Sequence, residues 1–191
     1  MEAKIAEMFG HFGIVGDLVD YKIFKSGHIN TTCMVTVNEN GEEKSYILQK
    51  INHNVFKNPE QVMENISGVT NFIREKIEMD GEDPSRRVLN FIPTPEGEYY
   101  ALDENNNYWR VYEFIDRSIT FDSTKSLSVL RETGRAFGEF QNQLADYPSD
   151  ALWEIIPNFH NTPKRFENLK RTIMADPTLW LSTISTRLPQ C

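Results

Sequence analysis

Two β-rich runs near the start of the chain are joined by Ser26-Gly27-His28-Ile29-Asn30-Thr31-Thr32, a polar stretch with one glycine. A loop of this kind presents backbone N–H groups that can wrap phosphate oxygens, because the glycine lets the backbone approach without a side chain in the way. Taken alone, the stretch reads first as an ordinary hairpin turn. It is followed by a third β-rich run over residues 44–51 that carries Gln49 and Lys50, and then by a helical pattern that carries Glu64. A polar strand residue next to bound phosphate, steadied by a helix carboxylate, completes such a site.

Only one of Gln49 and Lys50 can face that site, since successive strand side chains point to opposite faces. Gln49 shares a face with Ile47, which suits an adenine pocket, whereas the charge of Lys50 suits phosphate. The geometric argument leans to Gln49. The ordinary alternatives are a solvent-facing lysine at a strand end and a solvated helix glutamate. Further on, Tyr112, Glu113, Phe114, Ile115 and Asp116 lie where the strand pattern gives way to helix. An extended linker there can offer backbone N–H and C=O groups to an adenine edge, and otherwise is an edge strand running into a loop. His28, His53 and His160 have no metal-ligand spacing and no paired nucleophile.

These residues need a scaffold, and the pattern supplies one. Residues 1–9 read as a short amphipathic helix, and residues 21–24, 32–37 and 44–51 as three successive antiparallel strands with a turn at Asn38-Glu39-Asn40-Gly41-Glu42. Asn58-Pro59 opens a helix over 59–78, with Val62, Ile66, Val69 and Ile73 on one face. An extended stretch over 88–93 follows, then a hairpin over 98–102 and 108–115. The expectation is an α+β fold with a five-stranded antiparallel sheet and one inserted helix. From Ser123 the pattern turns helical: Leu127, Leu130, Gly134, Phe137, Gly138, Phe140 and Leu144 mark a helix whose small residues permit close packing. Residues 150–154 and 163–174 read as further helices. The β-to-α switch near Asp116 is the expected boundary, giving 1–116, 117–176 and an atypical tail over 177–191.

The 191 residues carry a formal net charge of −8, a composition 39% hydrophobic and 25% charged, and two cysteines, Cys33 and Cys191. A packed core is expected, and a nucleic-acid partner is disfavoured because phosphate-backbone binding wants clustered Lys and Arg. The cysteines form no disulfide framework, no stretch approaches the ~18 apolar residues of a membrane span, and the N-terminus is unlike a signal peptide. A cytoplasmic setting without a membrane partner is the expectation.

In order along the chain, residues 27–32, 46–52, 55–59, 63–66, 109–115, 134–138 and 156–162 together resemble the aminoglycoside phosphotransferase and choline kinase superfamily. Within it they resemble the branch that includes the N-acetylhexosamine kinases. The resemblance spans about residues 21–176. It implies a two-lobed protein-kinase-like fold that moves the γ-phosphoryl of ATP, with Mg²⁺, onto a hydroxyl of a small-molecule acceptor such as a sugar or amino sugar. Gly27, His28, Ile29, Asn30 and Thr31 would cover the phosphates, Gln49 or Lys50 would contact them, and Glu64 would support that contact. Tyr112, Glu113, Phe114 and Ile115 would hold adenine, and His160 and Asn161 would lie on the acceptor side.

The same resemblance leads one to expect, after residues 172–176, a His-x-Asp loop ending in Asn and an Asp-bearing strand; neither is in the sequence, and residues 177–191 do not look like the family. The expectation is therefore a truncated or frameshifted product that starts a helical C-terminal lobe, lacks the catalytic aspartate, and self-associates through exposed helix faces. Two other readings compete with an incomplete phosphotransferase: a non-catalytic nucleotide-binding or interaction protein, and an α+β scaffold with no nucleotide site.

Overall fold

The computed structural model describes residues 2–24, 29–121 and 123–175. The chain divides into two compact units, Met1–Ile155 and Ile156–Cys191. The β-to-α switch near Asp116 lies inside the first of these.

The first unit opens with α1 (Glu2–Phe9), followed by β1 (Asp17–Phe24), β2 (Thr31–Glu39), β3 (Glu42–Lys50), α2 (Pro59–Met79), β4 (Phe91–Ile92), β5 (Ala101–Leu102), β6 (Tyr108–Glu113) and α3 (Leu127–Gln143). Every strand pairing is antiparallel, in the order β1-β2-β3-β6-β4, with β5 also on β6. Among the described residues the sheet has six strands, where the sequence pattern predicts five. Phe91 and Ile92 pair with Tyr112 and Val111, so part of the extended stretch over 88–93 shares the outer edge of β6 with β5. Between β2 and β3 the turn is an Asn-Gly hairpin: Asn40 and Gly41 have φ of 57° and 93°, the left-handed pair a twisted two-residue connection demands. At β1 the register shifts between Leu18 and Asp20, which bends this mostly exposed edge strand and blunts it against further pairing.

Strand alternation sorts the sheet into two faces. On one, Cys33, Val35, Val37, Tyr46, Leu48, Trp109 and Val111 pack with Ile5, Met8, Phe9 and Phe12 of α1 and its exit. On the other, Ile51 and Phe91 pack with Met63 of α2, bordered by Ile66, Tyr108 and Tyr112. A third cluster, Ile73, Ile77 and Val88 with Val69 and Leu144, ties the second half of α2 to the end of α3.

The start of α3 behaves otherwise. Leu127 and Phe137 are 78% and 67% exposed, and a Cβ added at Gly134 or Gly138 would meet nothing within 4 Å among the described residues. The close packing that these glycines suggest is not formed here. The expected helix over 150–154 is instead one 3-10 turn, Ser149–Ala151, followed by extended backbone at Leu152. That extension turns both backbone groups of Trp153 toward Asn65: Trp153 N–H donates to Asn65 Oδ1 and Asn65 Nδ2 donates to the Trp153 carbonyl, each at 2.9 Å. In the second unit, α4 (Thr162–Met174) starts on a proline, as its sequence predicts, and leaves Phe166, Leu169 and Ile173 exposed.

Candidate functional site

Four polar residues, Asn30, Thr32, Gln49 and Arg110, converge on the α2 face of the sheet. Register places Thr32 opposite Gln49 and Gln49 opposite Arg110, so the three side chains form one row across β2, β3 and β6. Gln49 is its centre. Its Nε2 donates to Thr32 Oγ1 at 2.8 Å, and its Oε1 accepts from Arg110 Nε at 3.0 Å and Nη2 at 2.6 Å. Asn30 joins from the loop: its Nδ2 donates to Gln49 Oε1 at 3.5 Å, while its Oδ1 accepts the Asn52 N–H at 2.9 Å. The Arg110 guanidinium also reaches Met63 Sδ at 3.6 Å and lies 5.6 Å from the centre of the Phe91 ring. Burial pushes this guanidinium down from its ordinary value and pushes the Tyr112 phenol up. An arginine nonetheless stays charged at neutral pH.

Lys50 points away from this row. It pairs with Trp109 and Thr31 on the other face and lines a small pocket with Ile29, Asn52, His53 and Asn107. Of the two alternatives left open by the sequence, Gln49 is the one on the α2 face.

The sequence reading expects Glu64 to support Gln49 or Lys50, and the structure pairs it with neither. Glu64 is exposed, and its carboxylate accepts the indole N–H of Trp153. The residue of α2 that reaches the row is Met63. Glu64, Asn65 and Gly68 instead make a docking strip for residues 147–153. Gly68 leaves room for this contact: a Cβ at this position would sit 2.6 Å from Tyr147 Oη, whose ring packs edge-on against Phe72 at 5.1 Å. Overpacking against Tyr147 is offset in part by the ~1 kcal/mol that alanine gains over glycine inside a helix, so Gly68→Ala is expected to destabilise the first unit by about 1 kcal/mol net in chemical denaturation. A Tyr147→Phe background, which removes the clashing oxygen, should recover part of the loss.

The linker is partly committed to the sheet. Glu113 N–H donates to the Asn90 carbonyl and Phe114 N–H to the Ser45 carbonyl, both at 3.0 Å, and the Ile115 carbonyl accepts from Ser118 Oγ at 3.3 Å. The strand ends at Glu113, so Phe114 and Ile115 lie beyond it. Arg86 braces the exit by donating to the Asp116 carboxylate at 2.6 Å and to the Asp116 carbonyl at 2.9 Å.

Gly27 and His28 lie outside the described residues. Ile29 is half exposed and Thr31 is exposed. His160 and Asn161 belong to the second unit. Asn161 caps α4, its Oδ1 accepting the Lys164 N–H at 3.0 Å, and the His160 ring lies edge-on to Phe159 at 4.5 Å. Among the described residues no group of three or more His, Cys, Asp or Glu side chains could hold a metal ion.

Sequence reasoning missed Arg110 and Trp153. The alternation of Tyr108-Trp109-Arg110-Val111-Tyr112 puts Arg110 on a face with two tyrosines, but only the β3–β6 register brings it to Gln49. Nothing local marks Trp153 as a partner of α2.

No family model matches the chain. Among solved structures, it is similar to the spectinomycin phosphotransferase APH(9)-Ia, determined in complex with ADP and spectinomycin. That similarity has a TM-score of 0.54 and 14% sequence identity, and it covers 91% of this chain and 46% of that one. The likeness shows the fold, an antiparallel sheet with helices as in the N-terminal lobe of a kinase-like phosphotransferase. The chain spans less than half the length of that structure.

Proposed function

We propose that this chain is the nucleotide-binding part of an ATP-dependent phosphotransferase acting on a small-molecule hydroxyl, in a cytoplasmic setting. The observation that carries this reading is the Thr32–Gln49–Arg110 row. It lies on the face of the kinase-like sheet that α2 covers and is bonded to Asn30 at the foot of the loop between β1 and β2. The loop of Gly27, His28, Ile29, Asn30 and Thr31 would lie over the phosphates, and the segment from Tyr112 to Ile115 would meet adenine through backbone groups outside the sheet ladder. The similar solved structure was determined with ADP, which supports the nucleotide class. A sugar or amino-sugar acceptor, as in the N-acetylhexosamine kinase branch, with His160 and Asn161 on its side, rests on the sequence resemblance.

None of the four histidines is followed two residues later by an aspartate. Phosphoryl transfer needs a carboxylate to orient the acceptor hydroxyl. This polypeptide is accordingly read as binding nucleotide without turning it over by itself. Mg²⁺ would arrive as part of the ATP complex, and no group of three or more His, Cys, Asp or Glu side chains stands ready for an ion among the described residues, so no step is assigned to it.

Thermal melting of the full chain with and without ATP–Mg²⁺ tests the reading. A ligand at a hundredfold excess over its Kd adds ~2.7 kcal/mol, which for a chain of this size raises the melting temperature by roughly 5–10 °C. The same sample is expected to release no ADP above background with N-acetylhexosamines as acceptors. An unshifted melt at millimolar ATP would overturn nucleotide binding, and steady ADP release would overturn binding without turnover.

A further inference from the structure

We propose that Arg110, held in place by Gln49, is the cation that receives the nucleotide phosphates, in place of a lysine on the third strand; this rests on the nucleotide reading above. A guanidinium taken partly out of water without a counter-ion is costly, so an unneutralised one calls for an anionic ligand or a structural reason. Arg110 is half-buried, and each of its partners among the described residues is neutral: the Gln49 amide, the Met63 thioether and the Phe91 ring. No described carboxylate comes within ion-pair distance of it. The two acidic residues of α2 that flank Met63 in sequence are engaged elsewhere, Glu60 accepting the Tyr108 hydroxyl and Glu64 the Trp153 indole.

The way in which Arg110 is held also fits an anion receptor. Gln49 Oε1 takes the Nε and one Nη2 proton, and Met63 takes one Nη1 proton, which leaves an N–H on each Nη atom. A neutral amide orients the fork without cancelling its charge, whereas a glutamate there would do both. The orienting amide is bonded in turn to Thr32 and Asn30, at the foot of the loop assigned to the phosphates. Lys50 cannot take this part from the opposite face.

The test measures adenosine and ATP–Mg²⁺ affinity for the full chain by calorimetry, in wild type, Arg110→Gln and Gln49→Glu. Loss of a charge-assisted contact to phosphate is expected to weaken ATP by about 10- to 100-fold in Arg110→Gln while adenosine changes by less than about twofold. Gln49→Glu supplies Arg110 with a carboxylate partner. It is expected to melt no lower than wild type without ligand, and still to weaken ATP by about tenfold. This second variant decides the matter should Arg110→Gln fail to fold. ATP affinity within about twofold of wild type in Gln49→Glu, or equal losses for adenosine and ATP, would overturn the role of Arg110 and leave nucleotide binding standing. Failure of wild type to bind either compound would overturn the nucleotide reading, and this role with it.

Discussion

Deletion of residues 1–12 is expected to abolish the cooperative fold of the first unit. Ile5, Met8, Phe9 and Phe12 are 4%, 0%, 7% and 3% exposed, and they cover Val35, Tyr46, Leu48 and Trp109 on one face of the sheet. At ~1.5–3 kcal/mol for each buried apolar side chain, their removal costs roughly 6–12 kcal/mol. That is comparable to the whole stability of an ordinary domain, ~5–15 kcal/mol. The face laid bare would contain Leu48 and Val35, both at 0% exposure, and it is as apolar as a domain core. Circular dichroism melts of the full and shortened chains measure the effect. A cooperative transition within a few degrees of the full chain would show that α1 is dispensable. The site should fail with the fold, since Gln49 lies next to Leu48 on β3 and Arg110 lies between Trp109 and Val111 on β6. On the proposed nucleotide reading, the melting shift expected with ATP should therefore be lost as well, even though α1 lies on the opposite face of the sheet from the row.

Asp103→Ala is expected to cost about 3 kcal/mol and to reveal one acid-sensitive point of the sheet. Asp103 is buried at the turn between β5 and β6. Its Oδ1 accepts the amide N–H groups of Asn105 and Asn107, each at 2.9 Å, and its Oδ2 accepts the buried Trp109 indole N–H at 3.0 Å. Asn107 Nδ2 donates to both oxygens. Burial works against the charged form. The Asn107 amide, the Trp109 indole, the Asn107 side chain and the Asn105 amide outweigh it, and together they hold the carboxyl well below its usual range. Alanine leaves these donors without an acceptor, at ~1–3 kcal/mol for each that stays buried.

The sign of the pH dependence follows from that depressed value. The contribution is complete above the unfolded carboxyl value of ~3.9 and is lost as pH falls through it toward the folded one. Wild type and Asp103→Ala should differ by a constant amount above about pH 5, and the gap should narrow on further acidification. Denaturant titrations at several pH values measure it. A gap that widens below pH 4 would show that the carboxyl is not stabilised by these donors.

Much of the fold was legible because its signals are local. Alternation over β2, β3 and β6, the Asn-Gly turn at Asn40-Gly41, and proline at the start of α2 and α4 each follow from neighbours within a few residues. The antiparallel sheet with an inserted helix is the result, and the similarity to a solved phosphotransferase bears out that fold. Alternation also required that Gln49 and Lys50 part to opposite faces, and it favoured Gln49 for the face of Ile47.

What local pattern cannot carry is register between distant strands and the reach of a side chain to another element. Arg110 meets Gln49 across 61 residues and Glu64 meets Trp153 across 89, so neither contact leaves a periodic mark. The sequence by itself determined the strands, the helices and which polar residues share a strand face, since these follow from backbone geometry at a period of two or 3.6 residues. Only the tertiary structure decided that a strand arginine, and not a helix glutamate, stands beside Gln49. That choice depends on which strand pairs with β3 and on where α2 comes to rest, and both are settled by burying the two faces of the sheet together.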